Sequence, residues 1–169
     1  MIIRPLKDDD RSVIADIHAL SWQQSYRQQM PADFLDNELP DIMRKRWRDA
    51  EIKDKDIVLV AEEDGNIAGF VAAWDGEPVY LDNLHVLKKH RSSGIGRQLM
   101  GATARQAVEN GREGIELHVV IGNDRAKALY LAMGGEIMAE EDKVLTGITV
   151  PHYRIGWADC GTLIARTGI

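Results

Sequence analysis

The chain has 169 residues, 44% hydrophobic and 28% charged, which suits one soluble domain able to bury a real core. Its formal net charge of −6 argues against a nucleic-acid partner, which needs a basic face, while mildly suiting a cationic substrate. No apolar run is long enough to span a bilayer, the single cysteine, Cys160, rules out an intrachain disulfide, and His18, His85, His90, His118 and His152 show no metal-ligand spacing.

Ile2 to Leu6 reads as an opening strand, and the chain then turns acidic at Asp8–Asp10. That start does not resemble a signal peptide, so a cytoplasmic location is the default expectation. Asp8 to Asp10 offer caps for a helix whose apolar positions, Val13, Ile14, Ile17 and Leu20, follow helical spacing and continue through Trp22 to Tyr26. Pro31 and Pro40 bracket an acidic stretch that reads as irregular. Ile42 to Ala50 reads as a second helix, with Met43, Arg46 and Trp47 on one face. Asp56–Glu62 and Ile67–Trp74 read as a hairpin turning at Glu63–Asn66. Val79 to Val86 is apolar on both faces, as a covered central strand would be. A helix over 95–109 follows, closed by Asn110-Gly111. Then come a strand over 114–120, a helix over 124–133 stopped by Gly134-Gly135, and closing strands at 137–139, 145–150 and 154–157. Cys160 falls after these, in a late strand or loop. The order implies a mixed α/β layer fold around one sheet, with residues 1–169 as one domain.

The informative segment runs from Leu84 to Met100. A buried strand ends at Val86, the basic run Lys88-Lys89-His90-Arg91 follows, and Gly94-x-Gly96 opens a helix. The first N–H groups of a helix lack backbone partners and lie at the positive end of its dipole. Glycine lets a phosphate approach that backbone closely. The chemistry is therefore that of a pyrophosphate site. A dinucleotide fingerprint would need a third glycine where Leu99 stands, so a nucleotide-dependent oxidoreductase is the weakest alternative.

Arg91-Ser92-Ser93-Gly94-Ile95-Gly96 resembles the Arg/Gln-x-x-Gly-x-Gly/Ala loop of the GNAT acetyltransferases. Asn123 to Gly135, with Asn123, Ala126 and Tyr130 in place, resembles that family's second signature; Gly134-Gly135 departs from the usual Gly-Phe. The resemblance covers nearly the whole chain. It implies a central mixed sheet with splayed strands flanked by helices, and acetyl-CoA as co-substrate with no metal. The reaction it implies is direct transfer of acetyl to an amine through a tetrahedral intermediate. It further implies that the backbone of Leu84, His85 and Val86 meets the pantetheine arm. Arg91, Ser92, Ser93, Gly94, Ile95, Gly96 and the adjoining Arg97 would hold the pyrophosphate, and Asn123 and Ala126 would contact the cofactor. Tyr130 would protonate the leaving thiolate, with the Val86 N–H at the oxyanion.

The amine must lose a proton. Asp82, a carboxylate in an otherwise apolar strand, is the first candidate for taking it, with capping of a neighbouring loop or pairing to an arginine as the alternatives. His85 and His118 follow, and a water relay with no single base is a further alternative. Trp22 or Tyr26 is expected in the acceptor pocket. The acceptor is expected to be a small-molecule amine. A protein N-terminus or lysine, and a non-catalytic acyl-CoA sensor, are the alternatives. A homodimer stays open, without an interface signature.

Overall fold

The computed structural model describes residues 1–168. Seven strands form one sheet in the order β1-β2-β3-β4-β5-β7-β6. They are β1 Ile2–Pro5, β2 Ile57–Glu63, β3 Asn66–Trp74, β4 Val79–Val86, β5 Ile115–Val120, β6 Glu136–Leu145 and β7 Ile148–Trp157. Every neighbouring pair is antiparallel except β4–β5. That parallel junction needs a crossover, which helix α3, Ile95–Glu109, supplies.

Alternation along the strands divides the core between two faces. Ile57, Leu59 and Ala61 of β2 join α3 and the helices α4, Asp124–Ala132, and α5, Cys160–Thr167. Val58 and Val60 point the other way, into a cluster with α1, Arg11–Ser25, and α2, Leu39–Asp49. Trp47 of α2 is 1% exposed and donates from Nε1 to His18 Nδ1 of α1 at 3.0 Å, which pins these two helices together. The 2–3 hairpin turns at Asp64 and Gly65, both at positive φ, as its sequence implied.

Three expectations are corrected. Residues 32–40 are helical, with a wide turn over Phe34–Glu38, and α2 begins at Leu39 rather than Ile42. Pro40 is tolerated there because the first turn of a helix needs no N–H from it. The three short closing strands are two long ones joined at Thr146-Gly147, whose φ values of 51° and 80° make a tight two-residue turn. Cys160 lies in neither strand nor loop: it opens α5, an unanticipated helix capped by Asp159, whose carboxylate accepts from the N–H groups of Gly161 and Thr162.

Gly134-Gly135 also finds its reason. A Cβ on Gly135 would sit 2.7 Å from the Trp157 ring, so Trp157 occupies the room a side chain would take.

Candidate active site

Strands β4 and β5 pair for only three residues, Val79–Leu81 against Ile115–Leu117. At Asp82 the register of β4 against β3 slips: Ala72 faces Asn83 while the adjacent Ala73 faces Leu81. Asp82 is thus the extra residue of a bulge, and bulges bend the strand that carries them. Beyond it β4 and β5 diverge and open a wedge of about 1010 Å³. Its walls are Leu81–Val86 on one side and Leu117–Asn123 on the other. Trp22 of α1 and Tyr26, which caps its C-terminus, lie over it, Tyr130 lies within, and the loop at Arg91 to Arg97 closes one end.

The Leu87 N–H donates to Ala68 O of β3. By the alternation of an antiparallel ladder, the backbone groups of His85 then face β3, while those of Leu84 and Val86 face the wedge. Val86 O accepts from Arg91 Nε at 3.1 Å, consistent with that direction. Of the three residues expected at the pantetheine arm, Leu84 and Val86 turn their backbone groups to the wedge. His85 meets the pocket through its side chain.

Positive charge and a helix N-terminus meet at the loop end. Ser92 and Gly94 sit at φ 70° and 83°, and Gly94 caps α3, so the chain turns with its amides leading into the helix. Arg91 is held by Val86 O and by Gln24 Oε1 at 2.6 Å. Burial, and then nearby Arg125, lower the Arg91 pKa. Two guanidiniums without a carboxylate partner among the described residues suit a phosphate-bearing ligand. Gly96 lets Leu129 pack close, since an added Cβ would lie 3.4 Å from Leu129 Cδ2. Ser93 Oγ donates to His90 O, which firms the loop. Ile95 sends its side chain into the core and contributes backbone alone. Arg97 donates to Arg166 O of α5, so it ties that helix to the loop.

Asn123 caps α4, its Oδ1 accepting from the Ala126 N–H at 3.2 Å, and both residues line the wedge. Tyr130 is 7% exposed, packs edge-on against Trp157 and lines the same space. Burial alone pushes its phenol above the ordinary value of 10.0, so it stays protonated at neutral pH.

On the α1–α2 side of the wedge, polar groups gather. Asp82 Oδ2 accepts from Arg46 at 2.6 Å, Trp74 Nε1 at 3.0 Å and Asn83 Nδ2 at 3.1 Å. The arginine pairing is one of the alternatives the strand position left open. His85 Nδ1 lies 2.6 Å from Ser21 Oγ, and its Nε2 is shielded with no partner. Desolvation, opposed by Asp82, brings the His85 pKa down to about 4. His118 bridges Tyr80 Oη at 3.2 Å and Glu141 at 3.0 Å. Trp22 and Tyr26 stack obliquely, centroids 4.8 Å apart, and both line the pocket. His152 of β7 lies beneath Tyr26, their side chains 3.3 Å apart. Sequence reasoning missed this residue, because Pro151-His152-Tyr153 carries no motif. Cys160 is buried on the other face, its thiol pushed up to about 11 by burial, so it is no nucleophile. Among the described residues no His, Cys, Asp or Glu cluster could hold a metal ion, and no helix is long and apolar enough to cross a membrane.

The family model "Acetyltransferase (GNAT) family" matches residues 14–134. The chain is 24% identical over 170 residues to the uncharacterized N-acetyltransferase YuaI of Bacillus subtilis, covering 95% of each. It is 31% identical over 71 residues to a thialysine N-epsilon-acetyltransferase of Bos taurus, covering 42% of each. The solved structure of yncA from Salmonella typhimurium with acetyl-CoA shares its fold at a TM-score of 0.68 and 19% identity, over 94% of this chain and 93% of that one.

Proposed function

The chain belongs to the acetyltransferase (GNAT) family, and from that membership we propose that residues 1–169 act as one unit that transfers acetyl from acetyl-CoA to a small-molecule amine. The observation that carries this reading is the wedge. Backbone of Leu84 and Val86 that no β5 partner takes runs from the Arg91–Gly96 loop to Tyr130, in line with a pantetheine arm leading from pyrophosphate to thioester. Residues present fit that ligand: the amides at Gly94 and Gly96 and the guanidiniums of Arg91 and Arg125 would take the pyrophosphate. When bound, acetyl-CoA supplies the activated acetyl group and a thiolate as leaving group.

The chain's own groups supply the rest. The Val86 N–H faces the wedge and donates to the acyl oxygen as it takes charge. Tyr130, kept protonated by burial, gives its proton to the departing sulfur. Asn123 spends Oδ1 on its helix cap, which leaves its amide NH2 to donate to the arm. Asp82, the first candidate for the amine proton, is ion-paired with Arg46; in this reading its second oxygen draws the ammonium in. The paired rings of Trp22 and Tyr26 at the wedge support a small cationic amine, which aromatic faces attract. The thialysine enzyme among its relatives is named for a small amine of that kind.

The test is thiol release from acetyl-CoA across polyamines, amino acids, aminoglycosides, arylamines and short peptides, with Tyr130→Phe in parallel. Release with one small-amine class, reduced about 10²-fold in the variant, is expected. Release with peptides alone would move the acceptor to protein, and acetyl-CoA binding without release would leave a sensing module.

A further inference from the structure

An ammonium cannot attack a thioester, so something must first take its proton. We propose that Tyr26 and His152 form the relay that does so. This rests on the transferase reading above. The direction of the hydrogen bonds carries it. His152 Nδ1 lies 2.8 Å from Val150 O. A carbonyl oxygen can only accept, so Nδ1 carries the hydrogen and Nε2 holds a lone pair. Tyr26 Oη, 3.3 Å from Nε2, must therefore donate to it. The Tyr26 oxygen is left with its lone pairs and no donor among the described residues, in a side chain that lines the wedge. It can accept a substrate proton in the same motion as it releases its own.

The other imidazoles are spent differently. Glu141 takes the His118 Nε2–H, so Tyr80 donates to Nδ1 by the same logic. Lys143 Nζ then fills the Tyr80 oxygen at 2.8 Å. His18 is buried and accepts from Trp47. The free Nε2 of His85 is sealed from solvent.

The step balances. The acceptor N–H bond breaks and a new Oη–H bond forms. The original Tyr26 proton moves to His152 Nε2, giving an imidazolium that keeps its bond to Val150 O. Tyr26 stays a neutral phenol before and after, as its pKa, held up to about 12 by burial, requires. His152 is 3% exposed, and burial lowers its pKa below 6.5, so it is neutral and ready at pH 7. Facing the pair are Lys143 and Glu141 from β6, His118 from β5, and Tyr80 and Asp82 from β4. Lys143 and His118 add to the lowering. Once product leaves, the proton returns through Tyr26 to water in the wedge.

Histidine 15N NMR on the full chain at pH 7 is expected to show His152 as the Nδ1–H tautomer; the Nε2–H form overturns the relay. Kinetics follow from pH 5.5 to 10 with an amine the wild type accepts. For Tyr26→Phe and His152→Gln, kcat/KM for the amine at pH 7 is expected to fall about 10²-fold. The deficit should close towards the amine's own pKa, where water already supplies free base, and the KM for acetyl-CoA should not move. A loss equal at every pH, or none, overturns the relay while wild-type turnover leaves the transferase reading intact. Wild-type silence with every amine overturns both. Should His152→Gln fail to fold, Tyr26→Phe, which removes one oxygen, decides the matter.

Discussion

His85 illustrates how a single position couples the site to stability. Its ring meets Ser21 of α1 and packs tilted on His18, ring centroids 5.0 Å apart, so β4 and α1 are joined through two neutral imidazoles. Its pKa is about 4 in the fold against an ordinary 6.5. A depressed histidine contributes its full stability above pH 6.5, and that contribution is lost as pH falls towards 4, because the unfolded chain binds the proton first. The loss amounts to up to about 3 kcal/mol. His18 shifts in the same direction, also chiefly by burial. The melting temperature is therefore expected to fall steeply as pH drops from 6.5 to 4, and His85→Asn to flatten that slope. Parallel wild-type and variant slopes would refute the assignment. The residues of the anion loop were legible from sequence because glycine spacing and basic charge are local signals. Tyr26 was legible as an aromatic in the right segment. His152 was not, since its meaning depends on a tautomer set by Val150 O and on a tyrosine 126 positions away.

Among the elements, α5 and the β6–β7 hairpin were the least legible. Cys160–Thr167 is eight residues, too short for periodicity to stand out. Its start signal, Asp159, is clear once the structure shows two N–H groups bonded to it. The strand-like run Leu145–Val150 hid a turn because Thr146 adopts positive φ, which threonine seldom does. Yet α5 supports the loop, since Arg97 reaches Arg166 O and Leu163 is fully buried against α3. Asp159→Ala is expected to cost about 1 kcal/mol, or roughly 2–4 °C in Tm, with the amine KM unchanged. A loss of transfer larger than the loss of folded protein would mean that α5 does more than brace the loop.

For the molecule as a whole, the two-sided core follows from patterning that the sequence displays in β2, which alternates between the two clusters, whereas β4, expected to be apolar on both faces, sends Val79, Leu81, Leu84 and Val86 into one cluster because the bulge at Asp82 resets its alternation. The wedge itself was not derivable from periodicity. It arises from one extra residue at Asp82, and a bulge leaves no compositional trace. If the wedge binds the acyl donor, CoA at a hundred times its Kd should stabilise the chain by about 2.7 kcal/mol. For a chain this size that is a Tm rise of roughly 5–10 °C. No rise in calorimetry would remove the cofactor from the reading.

The parallel junction has an evolutionary side. Because β4 and β5 are joined through a helix and not a hairpin turn, no tight turn fixes the separation of the wedge walls. The ladder ends at Leu81 and Leu117, so side chains beyond it, Asn83 and His118 among them, sit on backbone with no register to keep across the gap. Substitutions there can reshape what the wedge admits while the three ladder pairs at its base stay intact. The chain thus keeps the part that can vary in acceptor preference apart from the part that must stay constant to fold.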